Sequence, residues 1–195
     1  MNRVMNSYLL PFCGNIQFWK LVLKEDQVQF SLSRKLDKKS YANRTIIATA
    51  NGLQTLSIPL EGGRGSSIPY REVLISNQEN WRAKQLMAWQ SAYSKSPFYE
   101  FYIDALTKAL YSEKDSLTNL NLAMFKAFCK ILKVEIDFKI EDTSEIPISF
   151  EPNVFAKMPS YPQVFRNKYA FQPDLSILDL IFNLGNKSLR YLQEA

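Results

Sequence analysis

Two short runs of β-branched and aliphatic residues flank an Asn-Gly pair in the first third of the chain. The runs cover residues 45–50 and 53–58, and Asn51-Gly52 lies between them. Both residues of an Asn-Gly pair tolerate the positive φ that a two-residue hairpin turn requires. The pattern therefore predicts a β-hairpin whose second strand is closed by Pro59.

The remainder of the N-terminal part carries one helix pattern between two strand patterns. Apolar and polar residues alternate over residues 27–32, as is typical of a half-buried strand. A first strand is predicted within residues 3–10. Residues 15–23 place apolar side chains at helical spacing and are predicted to form a helix.

From residue 77 onward the apolar positions follow a helical period. Asn77 is predicted to cap a first helix, and Ser96, followed by Pro97, is predicted to cap a second. The second helix has apolar residues at i, i+3, i+4, i+7, i+8 and i+11, which predicts a face turned to the core. These residues are Phe98, Phe101, Tyr102, Ala105, Leu106 and Ala109.

A third helix is predicted to begin after Asp115 or Ser116, either of which can cap it. Its apolar face contains one amide, Asn121. A buried amide needs hydrogen-bond partners. Asn121 is therefore expected either to satisfy groups within the fold or to line a ligand pocket, and it is a candidate ligand-binding residue.

The C-terminal third begins with a strand pattern at residues 134–140 and continues without periodicity. Residues 141–173 are rich in proline and aromatic residues, so we expect an extended segment that wraps the body and buries its rings. Ser176 and Asp179 then form a capping box for a short helix that ends at Gly185. A last helix is predicted over residues 187–192.

Together these patterns predict a single α+β domain over residues 1–195. Its sheet-rich part, residues 1–76, contains a small mixed or antiparallel sheet with the N-terminal hairpin. This sheet is expected to pack against the helical C-terminal half of the chain. In that half, residues 77–133 form the helices and residues 134–195 form the wrapping tail.

The absence of histidine excludes several classes of function. Ser-His-Asp and Cys-His relays and histidine-bearing zinc sites are ruled out. Cys13 and Cys129 are the only cysteines and form no CxxC pair, so no metal site is predicted and a reduced, cytoplasmic setting is the simplest one. Whether these two cysteines pair stays open. No apolar run reaches the length of a membrane span.

The chain has a net charge of +5 and a pI of about 9.1. Basic residues concentrate at positions 34–44, where they form either a solvated loop or a site for an anionic partner. At the hairpin entrance, Tyr41, Asn43 and Arg44 combine a guanidinium with two orienting groups. They are the best candidates for binding a phosphate or carboxylate. The alternative is that Arg44 pairs within the fold with Asp179 or Asp104.

Asp179 has two interpretations. It is either a helix-capping residue or a general base near the ligand, and it is kept among the candidate ligand-binding residues. Nucleic acid is not expected as a partner, because acidic residues are interspersed with the basic ones and no module signature is present.

Several segments form a collinear set that covers nearly the whole chain. They are residues 11–19 (PFCGNIQFW), 40–44 (SYANR), 51–52 (NG), 56–59 (LSIP), 91–99 (SAYSKSPFY), 176–185 (SILDLIFNLG) and 191–192 (YL), together with Trp81. In this order they resemble the WbqC-like family of bacterial proteins.

The resemblance implies a role in O-antigen or other polysaccharide biosynthesis. It implies transfer of an acyl or aminoacyl group to an amino-sugar nucleotide, and hence a nucleotide or phosphorylated sugar as the anionic ligand near Arg44. Longer members open with His-Gln-Pro-x-Tyr-Leu-Pro, whereas residues 6–11 here read NSYLLP and lack that histidine. The alternative is therefore a non-catalytic protein-binding or assembly module that has lost the family's chemistry. The sequence identifies no catalytic residue and no cofactor.

Overall fold

The structure of the protein, a computed structural model, describes residues 6–33, 35–36, 41–62, 68–141, 148 and 157–194. The strands are β1 (Ser7–Tyr8), β2 (Val28–Phe30), β3 (Arg44–Thr49), β4 (Gly52–Ser57) and β5 (Phe138–Ile140). The helices are α1 (Ile16–Val22), α2 (Trp81–Tyr93), α3 (Tyr99–Leu110), α4 (Leu117–Leu132), α5 (Ile177–Leu184) and α6 (Ser188–Glu194). Short 3-10 turns lie at Tyr70–Glu72 and Gly185–Lys187.

The strands form two separate sheets within the described residues. One is parallel, in the order β1-β2-β5, with Val28 opposite Phe138. The other is the antiparallel β3–β4 hairpin, with Arg44 opposite Ser57 at its base and Thr49 opposite Gly52 at its turn. The predicted α+β fold, with mixed strand directions and a helical C-terminal half, is confirmed.

The hydrophobic core lies where α5 passes through the middle of the molecule. Every residue of this helix up to its last is buried, including the two polar residues Asp179 and Asn183, so the helix lies in the interior. A second group of rings joins α1, α4 and the parallel sheet. Within it, Trp19 stacks on Phe125 with ring centroids 5.2 Å apart, and Phe30 meets Phe125 edge to face at 5.2 Å.

The helix starts differ from two of the predicted caps. Asn80, not Asn77, caps α2, because the Asn80 side chain accepts a hydrogen bond from the Ala83 amide. The α3 helix begins at Tyr99, and no side chain caps it, so the predicted start at Ser96 is wrong. Hydrogen-bonding residues are frequent in this region, and the sequence alone does not show which of them faces a free main-chain amide.

The predicted core face of α3 is wrong at Phe101, whose side chain is 74% exposed, and at Ala105, which is also exposed. Phe101 packs instead beside Phe98, with ring centroids 6.0 Å apart. Leu106 and Ala109 on the same predicted face are buried. The helical period identifies the apolar side of α3 correctly, but the neighbouring elements cover only part of it.

Arg82 connects α2 by hydrogen bonds to the end of α3 and to the loop that joins α3 and α4. Its Nε donates to the Leu110 carbonyl at 3.1 Å. Its two terminal nitrogens donate to Asn77 Oδ1 at 2.8 Å and to the carbonyls of Glu113 and Lys114. The guanidinium also lies 4.3 Å from the centroid of the Trp81 ring. Only 8% of Arg82 is exposed, so these contacts replace water almost completely.

The described part of the tail, residues 157–175, contains turns but no helix or strand. Its Tyr161 ring is buried and meets both Phe171 and Tyr191 edge to face. Tyr169 is 38% exposed, so its ring is not buried as predicted. Its hydroxyl donates to the Ala50 carbonyl at the hairpin turn at 3.0 Å.

Cys13 and Cys129 carry free thiols, which answers the question of their pairing. Within the described residues, no helix combines the length and the apolar character that crossing a bilayer requires. The same part of the chain contains no cluster of acidic and cysteine side chains that could hold a metal ion.

Candidate functional site

The candidate site lies where three segments of the chain meet, and main-chain hydrogen bonds join them. Residues 14–16 and 175–177 form an antiparallel bridge through two bonds of 2.9 and 3.0 Å. This bridge places Asn15 directly opposite Ser176. The Ser176 amide also donates to the Ile46 carbonyl of β3 at 3.1 Å, and the Phe12 amide donates to the Tyr41 carbonyl at 3.2 Å. Residues 12–16, 41–46 and 175–177 thus form one surface.

A shallow cleft with a cavity volume of about 10 Å³, partly open to solvent, occupies this junction. Its wall combines one cation with hydroxyl, amide and apolar groups. The lining residues are Pro11, Gly14, Asn15, Tyr41, Arg44, Thr45, Ile46 and Ser176. The enclosed part of the cleft holds no more than about one water molecule. A phosphate or a carboxylate would therefore contact the wall from the open side, and a whole nucleotide does not fit inside.

Tyr41 and Arg44, two of the predicted ligand-binding residues, line this cleft together. The Arg44 guanidinium carbon lies 5.5 Å from the centroid of the Tyr41 ring, a cation–π arrangement. Both side chains are half-buried. The ring therefore helps to set the direction of the guanidinium at the first residue of β3.

Asn43, the third residue of the predicted trio, holds the base of the hairpin. Its Nδ2 donates to the Ile58 carbonyl at 3.0 Å. Its own carbonyl accepts from the Ile58 amide at 2.8 Å. Asn43 is not among the residues that line the cleft. It supports Arg44 through the main chain.

Asn121 is fully buried beneath the loop that leads to Arg44. Its Nδ2 donates to the Ala42 carbonyl and to the Tyr70 hydroxyl, both at 2.6 Å. The Tyr70 hydroxyl in turn donates to the Leu10 carbonyl at 2.8 Å, and burial raises the pKa of Tyr70. Asn121 thus fixes the main chain two residues before Arg44, rather than lining the cleft itself.

Asp179 lies in a buried cluster of aromatic hydroxyls. Its Oδ2 accepts from the Tyr161 hydroxyl at 2.7 Å and from Gln163 Nε2 at 3.0 Å. Burial raises the pKa of Asp179 to about 6, although these hydrogen bonds act in the opposite direction. The neighbouring carboxylate also raises the pKa of Tyr93, beyond the larger effect of burial. The Tyr93 hydroxyl nevertheless has no hydrogen bond of ordinary geometry among the described residues.

Asp179 therefore accepts hydrogen bonds from the tail and does not pair with Arg44. Tyr161 and Gln163 both belong to the irregular segment, so this carboxylate attaches that segment to α5. Asp179 stands in the first turn of α5, but the capping hydrogen bond there comes from Ser176, whose side chain accepts from the Leu178 amide. The capping prediction is confirmed at Ser176.

Cys13 lies behind the cleft with a chemically inert thiol. Burial raises the pKa of Cys13, and hydrogen bonds with Thr45 and Ser176 offset this only in part. A thiol with a raised pKa is a poor nucleophile at neutral pH. Thr45 and Ser176 line the cleft as well. Cys13 is thus a packing residue whose neighbours form the floor of the site.

The helix N-termini at the cleft are already capped by the protein's own groups. Asn15 Oδ1 accepts from the Phe18 amide at 3.1 Å, and the Gln17 amide donates to Asp174 at 2.7 Å. At the start of α5, Ser176 accepts from Leu178 at 3.3 Å. The capacity of the cleft to bind an anion therefore depends on side chains rather than on first-turn amides.

Sequence reasoning missed Asn15, Thr45, Ser176 and the buried carboxylate Asp174 as site residues. Asn15 was predicted to lie within the helix of residues 15–23, whereas the structure makes it the cap of α1. Ser176 begins a capping box, so the sequence does identify it as a helix cap. What it lacks is any signal that these two caps lie opposite each other. Asn15 and Asp174 are 159 positions apart along the chain.

Comparison with known proteins identifies a family for this chain. The model of the WbqC-like protein family matches residues 6–151 and 144–191. The chain is also similar to the "Uncharacterized protein Rv1507c" of Mycobacterium tuberculosis (strain ATCC 25618 / H37Rv). The two are 22% identical over 229 residues, which cover 97% of this chain and 96% of that protein. No solved structure matches.

Proposed function

Because the chain belongs to the WbqC-like protein family, we propose that it acts in sugar-nucleotide-related group transfer and binds an anionic ligand at the cleft beside Arg44. The ligand is a nucleotide or phosphorylated sugar, and the transferred group is acyl or aminoacyl. The proposed setting is the bacterial cytoplasm, in O-antigen or other polysaccharide biosynthesis.

The observation that carries the proposal is the position of the Arg44 guanidinium. It lies at the wall of a cleft whose other polar residues all have donor groups, namely Asn15, Tyr41, Thr45 and Ser176. A guanidinium offers a planar set of donors that fits phosphate and carboxylate oxygens. One such group can contact the wall from the open side of the cleft, so the sugar and base would extend over the surrounding surface.

A thermal-shift experiment with a panel of ligands tests this function. The panel contains uridine diphosphate, uridine diphosphate N-acetylglucosamine, guanosine diphosphate and inorganic phosphate. At a ligand concentration about 100 times Kd, binding stabilises the folded state by about 2.7 kcal/mol. For a chain of this length, that corresponds to a rise in Tm of roughly 5–10 °C.

Two arginine variants separate ligand binding from general charge. Arg44→Ala removes the guanidinium from the cleft, and the nucleotide-induced rise in Tm should disappear. Arg190→Ala removes an exposed arginine whose partner is Glu194, and the rise should persist. If no ligand of the panel raises the Tm of the wild-type protein, or if Arg44→Ala keeps the full rise, the proposed function is wrong.

A second candidate, a non-catalytic protein-binding or assembly module, is favoured by exposed apolar side chains on the helices. Phe101 of α3 is 74% exposed and Met87 of α2 is 68% exposed. Such side chains are common in protein interfaces. Cross-linking in a bacterial lysate should then trap one defined complex that the Phe101→Ser variant does not form. An identical pattern for both proteins would argue against this candidate.

A further inference from the structure

The orientation of the Asn15 side chain in the cleft is fixed from both ends. Its Nδ2 donates to Asp174 Oδ2 at 2.8 Å, and its Oδ1 accepts from the Phe18 amide at 3.1 Å. A carboxylate only accepts and a main-chain amide only donates, so the reversed amide would face two mismatched partners. Asn15 is 5% exposed and still lines the cleft.

Asp174 is held as firmly as the amide that it orients. Its carboxylate is fully buried and accepts from both Asn15 and the Gln17 amide. Its main chain has a φ of +55°, which is uncommon for a residue with a side chain. Lys20 lies near Asp174. Burial lowers the pKa of Lys20, and the negative charge of Asp174 partly offsets this decrease.

This arrangement leaves one donor of Asn15 for the cleft. The Nδ2 group carries two hydrogens, and Asp174 Oδ2 accepts one of them. Because Asn15 Oδ1 accepts from the Phe18 amide, the side-chain amide is polarised and its remaining N–H becomes a better donor. The Oδ1 acceptor is occupied by the start of α1, so the cleft side of Asn15 presents a donor only.

We propose that Asn15 is a second ligand-binding residue of the cleft, positioned by Asp174 so that one amide N–H donates to an oxygen of the anion that Arg44 binds. The inference rests on the proposed function, because it names a further contact for the same ligand. It assigns Asp174 as a positioning residue that does not touch the ligand. The recognised group is an acceptor oxygen, as in a diphosphate.

The Asn15→Ser variant tests the contact while it preserves the helix cap. Serine caps a helix about as well as asparagine, so α1 should keep its start. The variant lacks the Nδ2 donor, and a hydrogen bond to a charged group corresponds to roughly ten- to hundred-fold in affinity. The Kd for uridine diphosphate, measured by isothermal titration calorimetry, should rise by that factor.

The matched control makes the same substitution at a cap outside the cleft. Asn80→Ser changes the cap of α2, whose side chain accepts from the Ala83 amide. Its Kd for uridine diphosphate should equal that of the wild-type protein. Equal affinities for Asn15→Ser and wild type, with the Arg44→Ala effect intact, would overturn this inference and leave the proposed function standing. A wild-type protein that does not bind would overturn both.

A spectroscopic measurement covers the case in which Asn15→Ser fails to fold. In a nitrogen–proton NMR spectrum of the wild-type protein, uridine diphosphate should shift the side-chain amide signals of Asn15. In Asp174→Asn the same signals should move before any ligand is added, because the amide loses its carboxylate acceptor, and the Kd should rise. Asn15 signals that do not respond to the nucleotide would overturn the contact, and an unchanged Kd in Asp174→Asn would overturn the positioning role.

Discussion

The buried carboxylate of Asp179 makes the stability of this protein depend on pH in an unusual direction. Its pKa in the folded protein is about 6, raised from 3.8 by burial. Between these two values the folded state holds a proton that the unfolded state releases. The group therefore stabilises the folded state fully below about pH 4. This stabilisation is lost as the pH rises through about 6.

The size of this effect follows from the pKa difference. A shift of one pKa unit corresponds to about 1.36 kcal/mol, so a difference of about two units corresponds to about 3 kcal/mol. Asp179→Asn should remove the effect, because an amide stays neutral at every pH. Its oxygen can still accept from Tyr161 and Gln163, and its nitrogen can donate to the Tyr93 hydroxyl oxygen.

Urea unfolding at several pH values measures the difference directly. The signal is the fluorescence of the buried tryptophans, and the quantity is the free energy of unfolding of Asp179→Asn minus that of the wild type. This difference should rise by about 3 kcal/mol between pH 4 and pH 7, because subtraction cancels most contributions from other carboxylates. Asp104→Asn, an exposed site on α3, is the matched control and should give a flat difference. A flat difference for Asp179→Asn as well would refute the reasoning.

Two further changes test the contacts that hold the helices. Arg82→Lys should lower the free energy of unfolding by about 3 kcal/mol in urea unfolding, because one ammonium cannot serve the three carbonyls that this guanidinium bonds; a loss below about 1 kcal/mol would contradict this. Gly185→Ala should lower the free energy of unfolding by about 2 kcal/mol or more, because the added Cβ would lie 2.4 Å from the Phe98 ring and the main chain of Gly185 has a φ of +57°. Gly52→Ala, at a φ of +100° with no neighbour within 4 Å, controls for the main-chain contribution and should cost only about 1 kcal/mol; equal losses for the two glycines would exclude the clash with Phe98.

Local sequence signals predicted the elements whose cause is itself local. The Asn-Gly turn placed the hairpin within a residue of β3 and β4, because that turn depends on two adjacent residues. Ser176 placed the start of α5 correctly, since a cap bonds to an amide two or three residues away. Phe101 was placed wrongly, because its burial depends on which element covers α3, and helical spacing does not contain that information.

The candidate site was predicted only in part for the same reason. Arg44 and Tyr41 are close in sequence, and both line the cleft. Asn43 and Asn121 lie near them but donate from their side-chain nitrogens to groups within the fold, and Asn121 Oδ1 has no hydrogen-bond partner among the described residues. Asn15 and Ser176 became site residues only through a bridge between distant parts of the chain. Such a pairing depends on how distant parts of the chain pack together in the core. Local sequence patterns do not contain that information.

The bridge between residues 14–16 and 175–177 has a consequence for biosynthesis. During translation the Gln17 amide is synthesised 157 residues before Asp174, whose carboxylate accepts from it. Until then one wall of the cleft does not exist, and the core lacks its central helix. The nascent polypeptide therefore cannot complete this wall of the cleft, or the core around α5, until residues 174–184 have emerged.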